Sequence, residues 1–160
     1  MAGQKDLFLE QALYCIDASS IILLRQSYPK DVFPTLHKLI TPVFQSGKIL
    51  ILNAVLEELK EKETDLFTYC TQTIPKDRLE KYENYILTTQ QIIHTYYDGK
   101  GKSQNIKADP HIISCAKTES ITVVTEELGS DPTKIPYICS REGITCIHFI
   151  DLFKNEGIKL

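Results

Sequence analysis

The chain has 160 residues, enough to bury one proper core, and its 42% hydrophobic and 24% charged content excludes a chain dominated by disorder. A formal charge of −3 excludes a general basic coat for nucleic acid, so any RNA binding must be local or lean on bound cations. Five cysteines, an odd count with no CxxC pair, argue against a disulfide framework or a structural zinc and fit buried free thiols in a reducing cytoplasm.

Residues 1–12 read as a polar leader and 13–158 as the core of a single domain spanning 1–160. Met1-Ala2-Gly3-Gln4-Lys5-Asp6 has no apolar secretory core behind it, and no apolar run approaches a membrane span. The expected setting is cytoplasmic, without a membrane partner.

Residues 13–16 form an apolar strand that ends at Asp17, and Ala18-Ser19-Ser20 turns the chain into an apolar segment over 21–24. Pro29 and Pro34 bracket a loop. Leu36, Leu39, Ile40, Val43 and Phe44 then recur at helical spacing, and Gly47 closes that helix. Residues 48–52 are a second strand, and Asn53 is placed to cap a helix over 54–62. A third helix is predicted over 64–74, and a long one from Pro75 to about Tyr97 on the spacing of Leu79, Tyr82, Ile86, Ile93 and Tyr97.

Residues 98–107, with two glycines and three lysines (Lys100, Lys102, Lys107), read as a mobile loop whose lysines are available to RNA phosphates but more simply solvated. Asp109-Pro110 opens another helix with Asp as N-cap. A strand over 121–125 follows, then Glu126-Glu127, a loop with Pro132 and Pro136, a short helix, a last strand over 144–149 and a closing helix over 150–156. The strands are continuous apolar runs separated by helices. That pattern predicts an α/β fold, a three-layer α/β/α sandwich around a central, mostly parallel sheet.

Sites in open parallel sheets form beyond the carboxyl ends of the strands. Asp17, Glu58, Asp109 and the Glu126/Glu127 pair all fall near such positions. Carboxylates gathered there repel one another and call for a divalent cation; an all-oxygen set suits Mg²⁺ or Mn²⁺, which makes phosphodiester hydrolysis a sensible reaction class. Each acid also has a structural reading: Asp17 and Asp109 as helix caps, and Glu126 and Glu127 as first-turn acids.

Glu58 is preferred to Glu57 because the apolar direction set by Val55, Leu56 and Leu59 lies closer to it. Glu57, Glu61 and Glu63 are assigned to a solvated face with Lys60 and Lys62. Ser19 and Thr125 are supporting residues, able to bond neighbouring carboxylates or simply turn backbone. The four histidines show no metal-ligand spacing, although His111 lies close to Asp109.

Tyr14-Cys15-Ile16-Asp17-Ala18-Ser19-Ser20, Ala54-Val55-Leu56-Glu57-Glu58-Leu59, Ala108-Asp109-Pro110-His111-Ile112-Ile113-Ser114-Cys115-Ala116 and Val123-Val124-Thr125-Glu126-Glu127, in that order, resemble the PIN-domain family and its VapC-like toxin branch. The Tyr28–Pro34 segment and Lys134-Ile135-Pro136 add a resemblance to one poorly characterised subgroup.

The resemblance implies a PIN-like fold and a metal-dependent endoribonuclease acting on single-stranded RNA. Asp17, Glu58, Asp109 and Glu127 would be its catalytic and metal-binding acids, with Mg²⁺ or Mn²⁺ as cofactor. Glu127 takes a place usually held by Asp, with Glu126 beside it. A cognate antitoxin and a homodimer are implied as partners. Two other readings stand beside it: a catalytically inactive PIN-like RNA- or protein-binding module, and a phosphotransfer domain with Asp17 as nucleophile. The second lacks its acid two residues on, where Ser19 stands.

Overall fold

The structure is a computed structural model that describes residues 9–97 and 107–160. Most of the expected leader and all of the expected lysine loop except Lys107 lie outside the described residues. Five strands form the sheet: β1 (Tyr14–Ile16), β2 (Ile49–Leu52), β3 (Leu79–Glu80), β4 (Thr122–Val124) and β5 (Cys146–Ile147). Their order is β3-β2-β1-β4-β5, and every pairing is parallel.

Among the described residues, eight α-helices cover the sheet: α1 (Ala18–Ser27), α2 (Pro34–Gln45), α3 (Asn53–Lys62), α4 (Thr64–Thr73), α5 (Ile86–Tyr96), α6 (Asp109–Glu119), α7 (Ile135–Glu142) and α8 (Phe149–Asn155). Helices α3 and α4 pack on each other and on α1, and α4 also meets α2; α6 packs on both α5 and α7. Phe149 of α8 meets Phe44 of α2 edge to face at 6.4 Å, which joins α8 to the first layer. The fold is the three-layer α/β arrangement expected.

The central strands are buried along their whole length, as continuous apolar runs require when both faces are covered. In α2, Leu36, Ile40 and Phe44 sit four apart on the buried face, while Leu39 is exposed. Successive strands step outward from β1 to β3, and the chain then crosses back to pair β4 with the other side of β1. The carboxyl ends of β1 and β4 therefore flank the reversal of strand order, where parallel sheets open a crevice.

Several local expectations are corrected. Residues 18–24 belong to helix α1, which runs on to Ser27. The single long helix from Pro75 is broken into a 3-10 turn (Lys76–Arg78), strand β3, a second 3-10 turn (Tyr82–Tyr85) and α5. Long-range bonds override the helical spacing. Leu79 and Glu80 pair with Ile51 and Leu52 at the sheet edge, and Arg78 donates to the carbonyls of Gly47 (2.6 Å) and Glu10 (2.8 Å).

Asn53 does not cap α3. Leu52 holds the N-cap position, and Asn53 Oδ1 instead accepts the Tyr82 amide at 2.9 Å. The last two strands and the strand before Asp17 are also shorter than expected.

Gly47 turns the chain from α2 into β2 at φ +92°, a left-handed conformation that suits glycine. A Cβ there would lie 3.0 Å from the Glu10 carbonyl oxygen and 3.1 Å from Leu9. At Gly143, also left-handed (φ +69°), a Cβ would meet open space. Chemical denaturation should thus show Gly143→Ala costing about 1–2 kcal/mol and Gly47→Ala distinctly more.

Candidate functional site

Asp17 is the first residue after β1 and is only 5% exposed. It occupies the N-cap position of α1 yet makes no cap bond. Its carboxylate turns to two hydroxyls: Ser19 Oγ donates to Oδ2 at 2.6 Å and Thr125 Oγ1 donates to the same oxygen at 2.9 Å. Those hydroxyls in turn accept backbone amides, Ser19 from Glu126 (3.0 Å) and Thr125 from Glu127 (3.2 Å). Each hydroxyl thus uses its one proton on Asp17 and a lone pair on the strand β4 exit. Asp17 Oδ1 carries no hydrogen bond among the described residues.

Burial pushes the Asp17 carboxyl above the usual carboxylate range. The Ser19 and Thr125 bonds oppose that shift, and the charges of Glu127 and Glu58 add to it. Asp109 stands at the first position of α6, not at its N-cap, which is Ala108, and makes no cap bond. Its carboxyl is pushed up to about 7, first by burial and then by the charges of Glu127 and Asp17; Lys134 opposes and Glu58 adds a little. The charges of Glu58 and Glu127 therefore act on both Asp17 and Asp109.

Glu58 is half-buried while Glu57 is exposed, as the helical angles predict. Its Oε1 accepts Lys62 Nζ at 2.7 Å. That ammonium is held above its usual value first by Glu58, and the charge of Asp17 contributes as well. Lys62 was expected on a solvated face with Glu57, Glu61 and Glu63. Instead it turns to Glu58, and Glu63 pairs with Arg25 at 2.7 Å. The spacing of four between Glu58 and Lys62 was visible in the sequence and is the signal that could have found the pair.

Glu126 and Glu127 do not lie in a helix of their own, yet each reaches the start of another one. Glu126 Oε1 accepts the Phe149 amide of α8 at 2.7 Å and Ser20 Oγ at 3.3 Å. Glu127 Oε2 accepts the Ile135 amide of α7 at 3.0 Å, and its Oε1 meets Lys134 Nζ at 3.5 Å. Both use the unsatisfied amides and positive end of a helix that comes later in the chain. The charge of Glu127 raises both the Asp17 and Asp109 carboxyls. The place of Lys134 beside it has no sequence signal outside the resemblance.

Among the described residues, no three His, Cys, Asp or Glu side chains could hold a metal ion as they stand. Glu58 and Glu127 are turned toward their lysines, and Asp17 offers one oxygen. The donor set is nonetheless of the right chemistry for a hard divalent cation. It is all carboxylate, and Asp109 has no hydrogen-bonding or ionic partner among the described residues. Neither His37 nor His148 joins it: His37 bonds the Tyr28 carbonyl and His148 the Thr125 carbonyl. His111 packs its ring on Tyr82.

The family model "Domain of unknown function (DUF4411)" matches residues 14–160. The chain belongs to this family. The DUF4411 match begins at the first residue of β1 and takes in all four acids. No curated protein sequence matches the chain. Among solved structures, the chain is similar to the crystal structure of PAE2754 from Pyrobaculum aerophilum, at 12% identity and a TM-score of 0.49. That match covers 99% of this chain and 98% of the other. No helix among the described residues is long and apolar enough to cross a membrane.

The raised Asp109 carboxyl links folding to pH. The folded group ionises near 7 and the unfolded one near 3.8, so its stability contribution is complete below about pH 4 and is lost as pH rises through 7. In EDTA, Asp109→Asn should be more stable than the parent at pH 8 by roughly 2 kcal/mol, after allowance for solvent screening. The gain should vanish at pH 4. Urea melts at the two pH values measure it; equal gains at both would refute the assignment.

Proposed function

We propose that this DUF4411 protein is a metal-dependent endoribonuclease of PIN-like type, hydrolysing phosphodiester bonds of single-stranded RNA with Mg²⁺ or Mn²⁺. The observation that carries the reading is Asp17, buried at the end of β1 with Oδ2 held by Ser19 and Thr125 and with Oδ1 making no hydrogen bond among the described residues. After burial, the charges of Glu127, Asp17 and Glu58, the other three acids of the PIN-like motif order, push the half-buried Asp109 carboxyl up. Mutual repulsion among such acids is what a cation would relieve.

Asp17, Glu58, Asp109 and Glu127 would hold the ion. When bound, it would activate water and neutralise charge building on the scissile phosphate. Ser19 and Thr125 fix Asp17 by one oxygen and leave Oδ1 to the ligand. Lys62 and Lys134 partly neutralise Glu58 and Glu127. Once a cation takes over that task, their ammonium groups become available to RNA phosphates. Glu126, committed to the start of α8, serves the frame of the site and not the ion.

The resemblance extends the reading to a toxin restrained by a cognate antitoxin, working in the cytoplasm as a homodimer. Its rival is a catalytically inactive PIN-like module that binds RNA or protein. The lysine pairs of Glu58 and Glu127 favour that rival, since they satisfy two of the acids without a metal.

Labelled single-stranded RNA, incubated with Mg²⁺ or Mn²⁺ and then with EDTA, separates the two. The nuclease reading expects cleavage that EDTA abolishes and that Asp17→Asn lowers at least ~100-fold. Binding without cleavage across varied RNAs would establish the rival.

Calorimetry with Mn²⁺ divides the two neighbouring glutamates. Glu127→Gln keeps an acceptor for Ile135 but should weaken Mn²⁺ binding by about tenfold or more. Glu126→Ala should leave the affinity unchanged and cost about 1 kcal/mol of stability through the lost α8 cap.

A further inference from the structure

Beside Glu58, on the α3 and α6 side of the acidic crevice, lies a cleft of about 390 Å³. That is within the ~300–1,000 Å³ range of small-ligand sites. Its aromatic wall is Tyr82 and His111, whose rings meet at 4.4 Å between centroids and an interplanar angle of 40°. Both residues are half-buried, so each ring is neither sealed in the core nor free in solvent. His111 Nδ1 is buried with no hydrogen-bond partner among the described residues, so the ring position is set by the stack and not by a polar tether.

A side-chain bond from α3 ties the platform to the helix that carries Glu58. Asn53, the first residue of α3, accepts the Tyr82 amide at 2.9 Å, and Glu58 lies five residues further along the same helix.

The charges around the cleft select what fits there. Glu57 and Glu61 line the α3 side and are exposed, so a phosphate at the centre would face carboxylates. An uncharged planar group does not meet that repulsion. Lys62 and Lys107 also line the cleft and give two cations for flanking phosphates.

We propose that this cleft seats one unpaired nucleobase of single-stranded RNA, stacked on the Tyr82–His111 platform, next to the nucleotide whose phosphate reaches the acids. The proposal rests on the endoribonuclease reading for its substrate. It adds a base-binding subsite and two positioning residues outside the acidic set. Base–aromatic stacking contributes ~1–3 kcal/mol per base and tolerates any base, so it places RNA without demanding a sequence.

The test uses the full chain and a short labelled single-stranded RNA, with a series of the same RNA carrying one abasic nucleotide at each position in turn. Binding is measured by anisotropy in the Asp17→Asn background with Mg²⁺, and kcat and KM in the otherwise unaltered chain. Tyr82→Ala should weaken binding and raise KM by roughly 5- to 100-fold with a smaller change in kcat. Tyr82→Phe should behave as the parent. At one register, the abasic substitution should cost the parent as much as Tyr82→Ala does, and cost the Tyr82→Ala protein nothing more. Tyr82→Leu keeps apolar bulk at the position, and its urea melt guards against a folding defect.

Cleavage with parent-like KM in Tyr82→Ala overturns the subsite and leaves the nuclease reading standing, as does an abasic penalty that adds to Tyr82→Ala at every register. Tyr82-dependent binding without cleavage supports the subsite and overturns the nuclease reading. No RNA binding by any form overturns both.

Discussion

The hydroxyl pair on Asp17 Oδ2 is the constraint on which the candidate site depends. Ser19 comes from the first turn of α1 and Thr125 from the exit of β4, yet both donate to one oxygen. The two strands involved are neighbours in the sheet and far apart in sequence, and Asp17 N also donates to the Val124 carbonyl at 2.9 Å. The network therefore closes the β1–β4 reversal and aims the acid at the same time. It also sends two backbone amides, those of Glu126 and Glu127, onto the same hydroxyls, which sets where the following glutamates start.

From that start the two glutamates diverge, and helix termini decide their fates. Glu126 meets the amide of Phe149, and Glu127 the amide of Ile135. An unsatisfied amide at a helix start is a stronger acceptor-seeker than solvent is a competitor, so each carboxylate is held. Glu126 is spent on structure. Glu127 keeps its charge within reach of Asp17 and Asp109, which raises both carboxyls and works against the folded state at neutral pH. Such a cost is tolerable in a domain with a deep apolar core running from Tyr14 to Phe153. On the proposed reading, a cation bound to the folded form alone would recover it.

The two faces of the crevice differ in kind. Toward α7 it is charged, with Glu127 and Lys134; toward α3 and α6 it has aromatic rings beside acids and lysines. On the proposed reading, that asymmetry would serve a polymer with charged linkages and flat, uncharged bases. The larger cleft of about 520 Å³, lined by Leu24, Pro29, Pro42 and Tyr69 among others, contains none of the four acids.

What the sequence determined by itself was periodicity and order. Continuous apolar runs between helices implied a covered parallel sheet, because only strands buried on both faces lack polar alternation. The position of Glu58 on α3 followed from helical angles, and the order of Asp17, Glu58, Asp109 and Glu127 carried the family resemblance.

What tertiary structure alone decided were the pairings whose partners lie far off in the chain. Strand β3 was read as helix because Leu79, Tyr82 and Ile86 keep helical spacing, while the pairing that makes it a strand comes from β2. Asn53 looked like a cap because its local role is the only one a sequence displays; its actual partner is Tyr82. The division between Glu126 and Glu127 was likewise invisible, since adjacent identical residues differ only in which distant amide each meets. Local spacing is written in the chain, but the choice among competing hydrogen-bond partners is made only when the chain has folded back on itself.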